Sequence, residues 1–130
     1  IHYDELAPTL VEDTIKATNI IADEYHGKNA CTAWVNFDGA TTPPTIRDSF
    51  NVSDVVRTST GNFDIYFESP MDNTNYSIGG VSGFSGGTYT YPFVFDNSKL
   101  LINKASVIIG SYNSISQNDN IMIQAFGGKN

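Results

Sequence analysis

Several short stretches of this sequence contain residue types that carry out catalysis in other proteins. The run Gly83-Phe84-Ser85-Gly86-Gly87 matches the G-x-S-x-G pattern of serine hydrolases. That pattern requires a strand before the serine, a helix after it and a histidine later in the chain. Here a strand-like segment follows the serine, and both histidines, His2 and His26, precede it. A hairpin loop is therefore the better interpretation of this run.

Asp64 and Glu68 lie on the same face of one predicted strand and could be taken for the carboxylate pair of a glycosidase. Four residues of strand span about 13 Å, whereas paired glycosidase carboxylates stand roughly 5–9.5 Å apart. The two residues cannot act together from one strand, and solvation at the surface accounts for both. We therefore predict no catalytic residue and no enzymatic activity.

Metal sites are not predicted either. The oxygen-rich runs Asp72–Asn75 and Asn118–Asn120 lack the glycine and glutamate of a calcium-binding loop, and Asx turns explain both runs. Cys31 is the only cysteine, which excludes an intrachain disulfide and a thiolate cluster, and it is expected to be buried. His26 could hold a metal only with ligands from other chains. No metal and no cofactor are predicted.

Aromatic residues are better candidates for a binding site. Phe84 lies within the glycine-rich loop Gly79–Gly87, and Tyr89 and Tyr91 share a strand face directly after it. Because loops carry binding functions and tyrosine suits half-wet surfaces, we predict these three as ligand contacts, with a packed strand face as the alternative. Trp34, the only tryptophan, is predicted to be a large anchor on the second face of its strand, packed against a neighbouring sheet or subunit, and a sugar-stacking platform is its alternative.

The elements that must position these residues are strands. The chain has 130 residues, of which 40% are hydrophobic and only 16% charged, so it forms one domain with a sizeable core. Alternating segments of short length are separated by turn residues, which predicts an all-β antiparallel β-sandwich of about eight short strands. The predicted core contains Trp34, Phe37, Phe50, Phe63 and Phe67. Arg47 is expected to pair locally or across subunits.

The predicted strands follow one another closely after residue 30. Turns are expected at Thr60–Asn62, at Asp72-Asn73 and at Asp96-Asn97. The strand segments are Ala33–Phe37, Ile46–Val52, Val55–Thr58, Phe63–Glu68, Asn75–Val81, Tyr89–Phe95, Lys99–Asn103, Ser106–Tyr112 and Ile121–Phe126.

Residues 1–29 differ from residues 30–130, which form the predicted head domain. The first segment is acidic and aliphatic without a sustained period, so we interpret it as a stalk or linker that trimerises to bury its aliphatic side chains. Since the chain begins with Ile1, it is expected to be a piece of a longer protein.

The net charge of −7 without a basic stripe argues against nucleic acid and anionic membranes as partners, and no apolar run is long enough for membrane insertion.

One resemblance is specific. The residues that carry it are AWVNFDG at 33–39, IRDSFNVS at 46–53, GNFDI at 61–65, Phe67, Met71 and Asn75-Tyr76. Together they resemble a β domain found near the C-terminus of bacteriophage tail fibre proteins. The similarity is close over residues 31–78 and general over 79–130. The run Thr41–Thr45 and the loop Gly79–Gly87 depart from the family pattern.

This resemblance implies a homotrimeric tail fibre component of the virion with a distal, host-facing β domain. Its expected partners are other tail or fibre proteins and a glycan or protein receptor on the bacterial surface. No catalytic or binding residue is transferred from the resemblance. Two alternatives remain open, namely a structural fibre or tail-assembly domain without receptor contact, and a carbohydrate-binding β-sandwich module attached to an enzyme.

Overall fold

A computed structural model describes residues 16–19, 21, 29–83, 93–111, 114–115 and 120–130. Most of the predicted stalk, residues 1–29, therefore lies outside the described residues. The described part contains nine β-strands and no helix. The strands are β1 Cys31–Asp38, β2 Thr45–Phe50, β3 Val52–Ser59, β4 Asn62–Phe67, β5 Ser77–Gly83, β6 Phe93–Leu100, β7 Lys104–Ser111, β8 Ser114–Ile115 and β9 Asn120–Phe126.

These strands form two antiparallel sheets. The four-stranded sheet has the order β2-β1-β9-β5, and the five-stranded sheet has the order β3-β4-β7-β6 with β8 paired to β7. Alternating side chains of both sheets meet in one shared hydrophobic core. The predicted antiparallel β-sandwich is therefore confirmed.

The core is built from the inward-facing residues of β1, β9, β3, β4 and β7. Phe37 of β1 and Phe63 of β4 meet edge to face between the two sheets, with ring centroids 5.2 Å apart. Phe67 packs edge to face on Tyr76 at 5.7 Å. All four rings are at most 7% exposed. Because aromatic rings bury large areas, these two pairs contribute strongly to the shared core.

Trp34 and Phe50 were predicted to belong to this core, and the structure places both outside it. Trp34 is 36% exposed, and Phe50 is half-buried. Ala33, Val35 and Phe37 point inward, so strand alternation turns Trp34 outward. The β1–β2 register sets Phe50 directly opposite Trp34 and hence on the same outer face.

The prediction for the segment after Phe95 was also wrong. A turn was expected at Asp96-Asn97 and a separate strand over Lys99–Asn103, but β6 runs from Phe93 to Leu100. The register of β6 against β7 shifts between Phe95 and Leu100, so the strand continues through the residues that were expected to form a turn. The chain turns only at 101–103, where Leu101 N donates to Lys104 O at 2.9 Å.

Asn51 joins the two sheets where the chain passes from β2 to β3. Its backbone has a φ of 53°, in the left-handed region that asparagine tolerates better than most residues. Its Nδ2 donates to Thr32 O and to Ser69 O, both at 3.0 Å. Its Oδ1 accepts from Ser69 N at 2.6 Å. One side chain thus ties β1 of the first sheet to the segment that follows β4 of the second.

We expect Asn51→Ala to lower the free energy of unfolding by about 2–4 kcal/mol, because it removes three hydrogen bonds and leaves a Cβ-bearing residue in the left-handed region. Asn51→Gly is the matched control, since it removes the same hydrogen bonds without the backbone penalty. Urea unfolding followed by tryptophan fluorescence measures both. Equal losses for the two variants would contradict the conformational part of this explanation.

The buried phenol of Tyr76 should make the protein less stable at alkaline pH. Its hydroxyl donates to Leu101 O at 2.9 Å, and burial raises its pKa from 10.0 to about 12. In the unfolded chain the phenol ionises at its ordinary pKa of 10.0, whereas the folded protein keeps it neutral to higher pH. The stability that the neutral phenol contributes is therefore fully present below pH 10. That contribution is lost as the pH rises from 10 to about 12. Tyr76→Phe removes the titrating group, so the variant should lose less stability than the original protein over this interval in parallel urea titrations.

Candidate functional site

Trp34 lies near the middle of the outer face of the four-stranded sheet. It is paired with Phe50 of β2 on one side and with Gln124 of β9 on the other. Because β1 and β9 are the two inner strands of this sheet, the indole stands away from both sheet edges. An exposed tryptophan on an inner strand offers a flat aromatic surface to a partner.

Further apolar side chains extend this surface. On β9, Met122 and Phe126 point outward between the buried residues Ile121, Ile123 and Ala125. Met122 is 44% exposed, Phe126 42%, and Val81, which pairs with Met122 from β5, 65%. We call Trp34, Phe50, Val81, Met122 and Phe126 together the Trp34 face.

The apolar character of the Trp34 face is unusual for an antiparallel sheet. Such sheets normally pack one face on the core and present polar residues on the other. Single exposed apolar residues need no explanation, but a group on one flat surface is typical of an interaction site. The Trp34 face is therefore the candidate binding surface.

Polar side chains border the tryptophan on this face. Asn36 follows Trp34 on the outer side of β1 and pairs with Asp48 and Met122 on its two neighbours. Arg47 Nη1 donates to Asn36 Oδ1 at 3.2 Å, and Arg47 Nη2 lies 3.9 Å from Asp38 Oδ2. Arg47 therefore pairs locally, one of the two arrangements expected from the sequence. Its contact orients the amide of Asn36 beside the aromatic surface.

Among the described residues, none covers the β5 side of the same face at Gly79. Gly79 is the partner of Gln124, and a Cβ placed at Gly79 would meet no atom within 4 Å. The amide of Gln124 thus stands between the Trp34 ring and a strand position without a side chain. An aromatic plane flanked by two amide side chains can stack on the C–H face of a sugar and hydrogen-bond its hydroxyl groups.

The three ligand contacts predicted from the sequence, Phe84, Tyr89 and Tyr91, lie outside the described residues. They stay predictions. Ser85 of the G-x-S-x-G run also lies outside them. Sequence reasoning assigned Trp34 to the core, although the alternation of Ala33, Val35 and Phe37 already indicated that its side chain points the other way.

Asp64 is held in a structural network. Its Oδ2 accepts from Lys104 Nζ at 3.1 Å, and its Oδ1 accepts from Ser106 Oγ at 2.5 Å. Lys104 and Ser106 belong to β7, the neighbour of β4, and the register places Ser106 directly opposite Asp64. Glu68 lies beyond the end of β4 and is exposed. The structure therefore gives Asp64 partners other than Glu68.

The described residues contain neither a cluster of metal ligands nor a membrane-spanning helix. No three histidine, cysteine, aspartate or glutamate side chains among them come together as metal ligands would. None of them forms a helix that is long and apolar enough to cross a membrane.

Comparison of the chain with protein-family models, with curated proteins and with solved structures gives no significant match.

Proposed function

We propose that this chain is the β-sandwich head of a bacteriophage tail fibre component, and that it attaches the virion to a bacterial surface without catalysing a reaction. The motif resemblance over residues 31–78 supports the fibre assignment. The sandwich fold is compatible with a compact head at the end of a fibre. Attachment then requires an exposed surface that is suited to a surface glycan.

The observation that carries this proposal is the exposure of Trp34 on the flat outer face of the four-stranded sheet. Asn36 and Gln124 supply amide donors and acceptors next to the ring. Sugars present both a C–H face and hydroxyl groups, so an aromatic plane with adjacent amides matches them chemically. A glycan is therefore the ligand that we assign to the Trp34 face.

A homotrimer would make such binding effective. A shallow site on one sheet binds a sugar weakly, because little of the ligand surface is buried. Three copies on one fibre turn the later contacts into intramolecular events, which strengthens attachment to a repetitive surface by orders of magnitude, roughly 10²–10⁴-fold. The stalk predicted for residues 1–29 would hold the three heads together.

The trimer is tested by measuring the solution mass of the whole chain and of the chain without residues 1–29. We expect a trimer for the whole chain and a smaller species for the shortened one. If both are monomeric, the trimer proposal fails.

The attachment proposal is tested by applying the whole chain to an array of bacterial lipopolysaccharide and capsular polysaccharide fragments. We expect binding that Trp34→Ala weakens and that Val56→Ala leaves unchanged. Val56 is a suitable control because it is 39% exposed but lies on β3 of the other sheet. Binding that is insensitive to Trp34 would show that this face is not the contact surface.

A second candidate function is structural, and the apolar residues beyond Trp34 favour it. Val81, Met122 and Phe126 lack the polar groups that a sugar needs, and protein interfaces have cores of this composition. In that case the Trp34 face would be covered by a neighbouring subunit or another virion protein, and the head would join or cap the fibre. Glycan binding and solution mass of the Trp34→Ala variant separate the two functions.

A further inference from the structure

A cup adjoins the Trp34 face at one end of the four-stranded sheet. Its volume is about 440 Å³, within the range of about 300–1,000 Å³ for small-molecule sites. β5 begins at Ser77 and β9 ends at Phe126, and these two residues are paired. The segments before Ser77 and after Phe126 therefore leave the sheet side by side and enclose the space between them. We call this space the Phe126 cup; the side chains that the structure describes around it are those of Asn73, Asn75, Ser77, Phe126, Lys129 and Asn130.

Two glycines shape the Phe126 cup. Gly127 and Gly128 have φ angles of 83° and 78°, in the left-handed region that glycine adopts without steric cost. The chain therefore turns directly after Phe126. Gly128 packs so closely that a Cβ there would lie 3.0 Å from Tyr76 Cβ and 3.1 Å from Met71 Sδ. The last residues thus run beside the ring of Phe126, which stays 42% exposed.

Hydrogen bonds fix the wall that these last residues form. Gly128 O accepts from Asp72 N at 2.7 Å and from Asn73 N at 3.2 Å. Asn130 N donates to Asp72 Oδ2 at 2.8 Å, and Asn73 Nδ2 donates to Asn130 Oδ1 at 3.4 Å. A wall that is already ordered costs little conformational entropy when a ligand binds.

The opposite wall presents polar groups to a ligand. Asn75 and Ser77 are both exposed, and Ser77 lies beside Phe126. Among the described residues, none is hydrogen-bonded to the Asn75 carboxamide or to the Ser77 hydroxyl. Asn75 N donates to Asn73 Oδ1 at 2.9 Å, which fixes the position of Asn75. A carboxamide and a hydroxyl beside an aromatic ring can bond sugar hydroxyl groups while the C–H face of the sugar rests on the ring.

The charges at the Phe126 cup favour an uncharged ligand. Lys129 is the one charged side chain among the described residues that line it. Its ammonium donates to Ser69 Oγ at 3.1 Å and to Pro70 O, which both lie outside the cup. The carboxylate of Asp72, which accepts from Asn130 N, stands at the same wall. With one cation and one anion there, an ionised ligand gains no net attraction.

The Phe126 cup and Trp34 belong to one surface. Trp34 is paired with Gln124 of β9, and Phe126 lies two residues further along β9 on the same face. Diagonal neighbours of this kind on adjacent strands are about 7–8 Å apart. A short glycan can therefore contact both aromatic rings at once.

We infer that the Phe126 cup is a second sugar subsite, which binds an uncharged sugar residue next to the residue that stacks on Trp34. The placement of that neighbour on Trp34 rests on the proposed function, whereas the subsite itself does not. The head would then recognise two adjacent residues of a neutral glycan.

The direct test is an NMR titration of the ¹⁵N-labelled whole chain with three uncharged sugars, D-glucose, D-galactose and N-acetyl-D-glucosamine, and with sodium D-glucuronate in parallel. We expect at least one uncharged sugar to shift the amide signals of Ser77, Gly127 and Asn130, and glucuronate to bind less tightly than that sugar. The inference is wrong if no uncharged sugar shifts these signals, or if glucuronate binds as tightly or more tightly.

Variants locate the subsite. Phe126→Ala should weaken binding of that sugar about tenfold, and Asn75→Ala about fivefold. Phe95→Ala is the matched control and should leave binding unchanged, because Phe95 is 44% exposed but lies on β6 of the other sheet. Unchanged binding in the Phe126 and Asn75 variants would overturn the inference.

A disaccharide separates this inference from the proposed function. The disaccharide that contains the bound sugar, which is maltose, lactose or N,N′-diacetylchitobiose, should shift the indole N–H signal of Trp34 as well as the signals of the cup. Shifts in the cup without a shift of Trp34 would support the subsite and contradict the role assigned to Trp34. A shift of Trp34 without shifts in the cup would overturn the subsite and leave the proposed function standing.

Discussion

Replacing Phe63 with alanine is expected to lower the free energy of unfolding by about 3–5 kcal/mol. The ring is fully buried and meets Phe37 edge to face at 5.2 Å, between the two sheets. The loss combines the transfer free energy of the ring with a cavity that rigid strands on both sides cannot close. Urea unfolding followed by the fluorescence of Trp34 measures this loss. Trp34 lies on β1 like Phe37, but on the opposite face, so its surroundings report unfolding without being part of the core that the substitution changes.

Phe50→Ala is the matched control for this prediction. Phe50 is also an aromatic strand residue, but it is half-buried on the outer face, so its replacement should cost less, about 1 kcal/mol. The double variant Phe37→Ala/Phe63→Ala should show a coupling of about 0.5–1.5 kcal/mol between the two rings. Similar losses for Phe50 and Phe63 would contradict the placement of the core.

Replacing Trp34 with alanine is expected to reduce glycan binding at least about tenfold, since truncating a central aromatic anchor commonly costs 2 kcal/mol or more. The effect on stability should be much smaller than that of Phe63→Ala, because Trp34 lies outside the core cluster. Glycan-array binding and urea unfolding of the same preparation provide the two measurements. In a trimer, the loss at each head multiplies across the three contacts and becomes larger.

Two further variants make the Trp34 prediction specific. Trp34→Phe keeps an aromatic plane and should retain part of the binding, whereas Val56→Ala should retain all of it. A change of solution mass from trimer to monomer in Trp34→Ala would show instead that the Trp34 face lies between subunits. That outcome would contradict the glycan assignment and favour the structural function.

Strand positions and faces were largely predictable from the sequence. The alternation of Phe63, Ile65 and Phe67 with Asp64 and Tyr66 predicted which side of β4 is buried, and these three apolar residues are at most 7% exposed. Period-two alternation depends only on neighbouring residues, so a local pattern is enough to reveal it. Strand β8, which has two residues, is too short to show any period.

The candidate sites were much less predictable. The sequence showed that Trp34 and Phe37 point to opposite sides of one strand, but it did not show that Trp34 stays 36% exposed among the described residues of the sandwich. The ion pair between Asp64 and Lys104 was not predicted at all, because the two residues are 40 positions apart in the chain. Their contact exists only because β4 pairs with β7 in one particular register.

For the part of the chain that the structure describes, the sequence by itself determined the all-β class, the approximate positions of most strands and the residues that alternate between core and surface. Those properties follow from the geometry of a single extended strand. The tertiary structure alone decided which strands are neighbours, for example that β1 lies between β2 and β9. Strand order depends on contacts between distant residues, such as the hydrogen bond from Thr32 Oγ1 to Gly127 O at 2.7 Å. That order leaves Trp34 on the outer face of one sheet and brings Lys104 next to Asp64 on the other.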